Sequence, residues 1–216
     1  MNIQNLNCLI DLHLHLDGSL PLHTVKELAE QQGITLQMTD GELKKKLSVP
    51  AGCRDLNEYL TKFEFPLTLM QTPEALEKCM HDLLTELEGQ GVQYCEVRFA
   101  PQLHTQKGMS QNEVIEAVKA GLYSVAGVKP ESIHAGIILC CMRGSDNGQQ
   151  NKITVEEAAR HLGSGVCAVD LAGAEALYPT EQYADLFAYA KQLRIPVTIH
   201  AGEAAGTETV SYTHLR

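Results

Sequence analysis

Asp11-Leu-His-Leu-His-Leu-Asp17 carries two histidines at i and i+2 between two aspartates. On an extended strand those positions face the same way, so His13 and His15 stand side by side while Leu12, Leu14 and Leu16 take the other face. A neutral imidazole offers a nitrogen lone pair, and two of them on a rigid strand suit one small cation. A half-exposed strand whose polar face simply carries histidines accounts for the pair equally well. Asp11 and Asp17 tilt the reading toward ligation, because carboxylates orient ligating imidazoles or bind substrate hydroxyls.

Two further segments have the residue types for chemistry. Pro196-Val-Thr-Ile-His200-Ala-Gly-Glu203 reads as a buried strand that delivers His200 at its carboxyl end. Gly202 then permits a tight turn. Glu203 comes next, either as a carboxylate near the cation or as a cap opening the next helix. It is not the helical H-E-x-x-H of metalloproteases, because the pattern is a strand running into a loop. In Val169-Asp-Leu-Ala-Gly-Ala-Glu175, Gly173 allows a ligand to approach the backbone closely. A plain turn explains that segment equally well.

The elements that must position these residues alternate. Apolar runs at 8–14, 92–99, 133–142, 165–171 and 195–200 read as strands, with amphipathic segments between them. Thr72-Pro73 predicts an N-cap with proline at the first helical position, and Ser110-x-x-Glu113 and Thr154-x-x-Glu157 predict capping boxes. Gly163 is expected to close the helix that Thr154 opens, and residues 180–193 to form the last helix. The stretch from Pro21 to Gly91 is too long for one crossover and is expected to hold three helices. Such alternation implies a parallel sheet with helices outside it.

Polar groups fall at successive strand ends: His13, His15 and Asp17, then Arg98, Arg143, Asp170 and His200. That is what the mouth of a barrel requires, and no G-x-G-x-x-G turn favours an open nucleotide-binding sheet. The expected fold is α/β, a (β/α)8 barrel of which about the first five strands are present. A complete barrel takes about 250 residues, and this chain has 216. An open piece of barrel also exposes a strand edge and part of its interior.

With 17 basic and 27 acidic residues the net charge is −10, which argues against a surface built for nucleic-acid phosphates. The Lys44-Lys45-Lys46 run reads as exposed helix surface. Seven scattered cysteines without a C-x-x-C pair read as free thiols, so the expected location is cytoplasmic. No signal peptide and no membrane span is expected. The oligomeric state is left open.

Taken together, His13-x-His15-Leu-Asp-Gly-Ser, Glu96-Val-Arg-Phe-Ala-Pro101, Asp170-Leu-Ala-Gly-x-Glu175 and His200-Ala-Gly-Glu203 occur in an order that resembles the adenosine deaminase family. The resemblance runs from the first strand to Gly206. It implies an amidohydrolase-type (β/α)8 barrel with one zinc ion held by His13, His15 and His200. It also implies Glu203 as proton donor, and His15, Asp17 and Gly173 in contact with a purine nucleoside, Asp17 on a ribose hydroxyl. Leu56, Tyr59, Leu60 and Phe63 match an apolar helical gate, though at helical spacing they serve equally as packing residues. Glu96 and Arg98 are expected to hold the barrel rim together.

The implied reaction is hydrolytic deamination of adenosine and deoxyadenosine to inosine and ammonia in purine salvage, with a zinc-activated water attacking C6 and Glu203, protonated in a dry pocket, donating to N1. The H-x-E…P-C-x-x-C signature of cytidine-deaminase zinc sites is absent. Adenine or another aminopurine is the nearest alternative substrate. Asp17 favours the nucleoside, since that position resembles Glu in adenine deaminases. The alternative of another class is a non-catalytic fragment. The family's Gly-His-Gly histidine and its paired aspartates have no counterpart before Arg216, so little or no deaminase activity is expected of these 216 residues alone. Residues 1–210 are expected to belong to a single deaminase domain. Residues 211–216, with His214, do not resemble the family's continuation beyond His-Ala-Gly-Glu and are expected to be foreign to the gene.

Overall fold

Runs of buried aliphatic residues with few turn formers between them make strands that can be covered on both faces. The computed structural model, which describes residues 8–129 and 131–204, contains four: β1 (Leu9–His15), β2 (Val92–Phe99), β3 (His134–Met142) and β4 (Val166–Ala172). They form one parallel sheet in the order β1-β2-β3-β4. Sequential parallel neighbours joined through helices are the (β/α)8 barrel pattern, and the chain is an α/β protein of that type.

Residues 195–200 do not complete the expected fifth strand. They run beside β4 with one isolated parallel bridge, Val169 to Val197. Three backbone bonds join the segments: Val169 N–H to Pro196 O, Thr198 N–H to Val169 O, and His200 N–H to Leu171 O. Pro196 has no N–H of its own to give to a ladder.

Alternate residues of each strand divide the structure. Val97, Leu139, Cys141, Val169 and Leu171 join the main apolar core. The intervening Arg98, Cys140 and Asp170 are just as buried but lie on the opposite face. β1 is an edge strand of this sheet, and its Ile10 and Leu12 are 58% and 54% exposed.

Between β1 and β2 the described residues form five α-helices rather than three: α1 (Leu22–Gln31), α2 (Asp40–Leu47), α3 (Leu56–Leu60), α4 (Glu64–Leu69) and α5 (Pro73–Gly89). Thr72 caps α5 as expected, accepting from the Ala75 N–H at 3.3 Å. Lys44, Lys45 and Lys46 are exposed on α2. Ser110 and Glu113 form the expected capping box of α6 (Gln111–Val125). The box at Thr154 does not exist. α7 spans Gly148–His161 and starts six residues before Thr154, which therefore lies in its interior. There its hydroxyl donates to Gln111 Oε1 at 2.7 Å, tying α7 to α6. α7 still ends just before Gly163, and the last helix is a 3-10 turn (Thr180–Tyr183) leading into α8 (Ala184–Gln192). No helix among the described residues is long and apolar enough to cross a membrane.

The closest packing is between α5 and α6. A Cβ placed on Gly121 would lie 2.3 Å from the Glu77 carbonyl oxygen and 2.9 Å from Met80 Cβ. Because the first neighbour is backbone, the helices themselves would have to part. Gly121→Ala is therefore expected to destabilise the fold by about 3 kcal/mol. Urea unfolding measures this, and a midpoint equal to wild type would show that the two helices part at no cost.

His104 is fully buried beside the Phe99 ring, with Nδ1 2.9 Å from Met70 O. Burial lowers its pKa from 6.5 to about 4. The unfolded chain therefore takes up a proton near pH 6.5 that the folded chain refuses until about pH 4. Stability is complete above pH 6.5 and falls by about 3 kcal/mol as the pH drops through that window. The slope of unfolding free energy against pH should flatten in His104→Asn, which keeps a donor for Met70. An unchanged slope would assign the acid sensitivity elsewhere.

Candidate metal and purine site

β1 ends at His15, and the extended backbone sends His13 and His15 to the same side. The segment after α8 returns along β4 and presents His200 to them. His13 Nε2 lies 2.9 Å from His200 Nε2, and His15 Nε2 lies 3.0 Å from the same atom. Three nitrogen lone pairs thus converge on one point, the third drawn from 185 residues or more beyond the first two. Burial, and next the neighbouring histidine His200, brings the pKa of His15 down to about 3. His13 is lowered as well, by burial and then by Arg98. Neutral rings with bare nitrogens are the form that binds a cation. Among the described residues these three make the one cluster of histidine, cysteine or carboxylate groups close enough to share an ion. A tetrahedral zinc with bonds of about 2.0–2.1 Å needs its nitrogen ligands about 3.3 Å apart, so the residues present fit such an ion with a small outward shift.

The triad opens onto a cavity of about 680 Å³ whose lining also includes Asp17, Gly173, Glu203, Tyr59 and Phe63. Every residue expected at the site is therefore brought to one place. Asp17 is 6% exposed, and its Oδ1 is buried without a hydrogen-bond partner among the described residues. Burial pushes its pKa up to about 7 against the pull of two backbone N–H groups. Gly173 adopts φ +110°, a region a side chain disfavours. A Cβ there would also press on the Arg143 backbone and side chain at 3.4–3.5 Å. The apolar residues Leu56 and Leu60 belong to α3, which covers the cavity with Tyr59 and Phe63; the Phe63 ring meets the His15 ring edge-on at 5.9 Å. Glu203 lines the cavity but is exposed, so the dry surroundings expected for it are not supplied by the described residues. Residues 211–216 and His214 lie outside the described residues.

Three positioning groups stand out in the sequence only as strand-end or motif residues. Asp170, fully buried on β4, has Oδ2 2.6 Å from His200 Nδ1, although that nitrogen makes no aligned hydrogen bond. Burial pushes Asp170 up, yet His200, Arg98 and Thr198 together hold it below the usual carboxylate range. Arg143, just past β3, donates to the carbonyls of Tyr178 and His200, both at 2.6 Å, and to Thr180 Oγ1 at 3.0 Å. Glu175, 1% exposed, accepts from the backbone N–H groups of Gly202, Glu203 and Ala204 at 2.7, 2.9 and 2.9 Å. Their signal is polarity at a strand's carboxyl end; their partners are illegible in sequence because all are backbone groups or distant along the chain. Arg98 does tie strands together as expected, but Glu96 instead accepts from Tyr94 on its own strand.

A parallel sheet with a histidine triad and polar groups at the carboxyl ends of its strands is the arrangement of a candidate metal site in a (β/α)8-type protein. The solved structures it resembles include an adenine deaminase from Arthrobacter aurescens, with TM-score 0.78 and 22% identity over 94% of this chain and 60% of that one. They also include a zinc-bound amidohydrolase from Burkholderia ambifaria, with TM-score 0.75 and 18% identity over 90% and 52%. At those identities the likeness is one of fold. The family model described as adenosine deaminase matches residues 8–213. The adenosine deaminase of Haemophilus ducreyi is 48% identical over 206 residues, 93% of this chain and 59% of that protein. The chain belongs to the adenosine deaminase family. It spans about 60% of the length of the curated relatives it matches.

The Glu175 carboxylate is what holds the loop carrying Glu203 against β4. Removing a charged acceptor from several backbone donors costs more than about 1.4 kcal/mol, which is tenfold in local opening. In Glu175→Ala, the amides of Gly202, Glu203 and Ala204 should exchange with solvent deuterium at least about tenfold faster than in wild type. Equal exchange rates would show that the loop is held by something else.

Proposed function

We propose that this chain carries the metal- and purine-binding part of a zinc-dependent adenosine deaminase, which hydrolyses adenosine and deoxyadenosine to inosine and ammonia in purine salvage. The observation that carries the reading is the convergence of three imidazole nitrogens in the same cavity as the unpartnered, buried oxygen of Asp17. The relative at 48% identity and the family match support it. Seven free cysteines fit a reducing, cytoplasmic setting.

His13, His15 and His200 would hold the zinc. A bound zinc supplies Lewis acidity and an activated water at neutral pH. The chain's own residues do the remaining work. Asp17 Oδ1 accepts a hydrogen bond from a ribose hydroxyl, which fixes the nucleoside in the cavity. Gly173, with no side chain, lets the base lie against the backbone after β4. His15 touches both the cation and the nucleoside. Glu203 donates a proton to N1, so that the ring can accept the incoming oxygen at C6 without building up negative charge. The overall balance is one water consumed and one ammonia released per adenosine. Leu56, Tyr59, Leu60 and Phe63 give the cavity an apolar cover.

Adenosine, deoxyadenosine and adenine offered side by side to zinc-loaded protein from the intact gene test the reading, with ammonia release as the signal. We expect turnover of both nucleosides and little of adenine. Asp17→Ala should lower kcat/KM for adenosine by about ten- to hundredfold, the worth of a buried hydrogen bond to substrate. Preference for adenine over adenosine, or full activity in His200→Ala, would sink it.

A further inference from the structure

Arg98 and Asp170 form a buried ion pair at 3.1 Å, with side chains 4% and 0% exposed. Besides the Cys140 Sγ, which lies 3.7 Å from Asp170 Oδ2, the pair meets the two chain segments that supply imidazoles. Arg98 Nη2 donates to Leu12 O at 2.8 Å, one residue before His13. Asp170 Oδ1 accepts from Thr198 Oγ1 at 2.9 Å, two residues before His200, and Oδ2 lies 2.6 Å from His200 Nδ1.

The sheet itself does not tie these segments to each other. β1 lies at one end of the four strands and residues 195–200 run beside β4 at the other, so the ladder connects them only through β2 and β3. Each interstrand step leaves some freedom in distance and twist, and that freedom accumulates before it reaches His200. The Arg98–Asp170 pair spans from β2 to β4 past β3, on the face that bears the triad. Buried ion pairs contribute little net stability, because loss of hydration offsets the attraction; fixing one arrangement among several is their better-supported use.

We propose that the Arg98–Asp170 pair is the positioning device of the cation site. It sets the spacing between β1 and the His200 segment, and it turns the His200 ring so that Nε2 faces His13 and His15. The inference rests on the metal reading under Proposed function, but it assigns a role to residues that touch neither cation nor substrate.

The test separates positioning from stability. The double substitution Arg98→Met with Asp170→Leu removes both charges while keeping similar volume. Zinc affinity is measured on the 216-residue chain by competition with a chromogenic chelator, and Co2+ absorption reports the ligand geometry. We expect an unfolding midpoint within about 5 °C of wild type, zinc binding about 10- to 100-fold weaker, and an altered Co2+ spectrum. If the double variant does not fold, Asp170→Asn, which keeps the shape and the Thr198 contact, is read the same way at low temperature. Unchanged zinc affinity in a folded variant overturns the inference and leaves the metal reading intact. Loss of folding in both variants assigns the pair to stability and likewise overturns it. A wild-type chain that takes up neither ion overturns the metal reading itself.

Discussion

Two imidazole nitrogens held about 3 Å from a third repel it through their lone pairs unless a proton or a cation lies between them. That is the constraint around which the rest of the molecule is arranged. Two of the three positions cost the fold little, since alternation on β1 places His13 and His15 together as soon as the strand is extended. The third must return from 185 residues away, after three further strands and the helices between them. Burial disfavours the imidazolium of His13 and His15, so that the same low-dielectric interior which makes the convergence costly also makes their nitrogens good ligands.

The strands meet this demand by serving two environments at once. On β3, Cys140 turns to the cavity while Cys141 is in the apolar core. On β4, Asp170 faces the triad while Val169 and Leu171 pack beneath the helices. A slip of one residue would exchange the two sets and bury aliphatic chains where the charges now pair. The site inherits its rigidity from the core through this alternation. The loops then add what strands cannot: Glu175 binds the three N–H groups of residues 202–204, and Arg143 takes the His200 carbonyl. Backbone groups that would otherwise face an empty cavity are satisfied, and the loop that bears Glu203 becomes part of the wall.

How much of this is legible in the sequence depends on how local each signal is. The His13–His15 pair, the Thr72 cap and the Ser110 box depend on residues two or three apart, and each forms as read. The Thr154 box shows the same spacing but loses to a tertiary bond, because its hydroxyl is taken by Gln111 on α6. α3 and α4, with five and six residues, have too little length for a helical period to show, which hides two of the five helices before β2. The 195–200 segment looks like a strand in composition, yet Pro196 interrupts its donors and β4 offers it only one bridge. Asp170 and Glu175 are visible as residues, but their partners are backbone atoms or side chains whose nearness only the folded chain creates.

Fold likeness and substrate are separate questions on this scaffold. A barrel hosts many reactions, so similarity to a structure at 22% identity, such as the adenine deaminase, carries the architecture and leaves the ligand open. The choice must come from groups inside the cavity. Adenine and adenosine present the same ring to the triad and differ by a sugar with hydroxyl donors. The feature that answers to this difference is Asp17, whose Oδ1 is buried, has no hydrogen-bond partner among the described residues, and belongs to a carboxyl group whose pKa burial raises to about 7. A buried acceptor left without a partner costs about 1–3 kcal/mol in the empty site. Under the proposed function a nucleoside hydroxyl would return that energy on binding and a free base would not, which would place the preference in one oxygen atom rather than in the shape of the barrel.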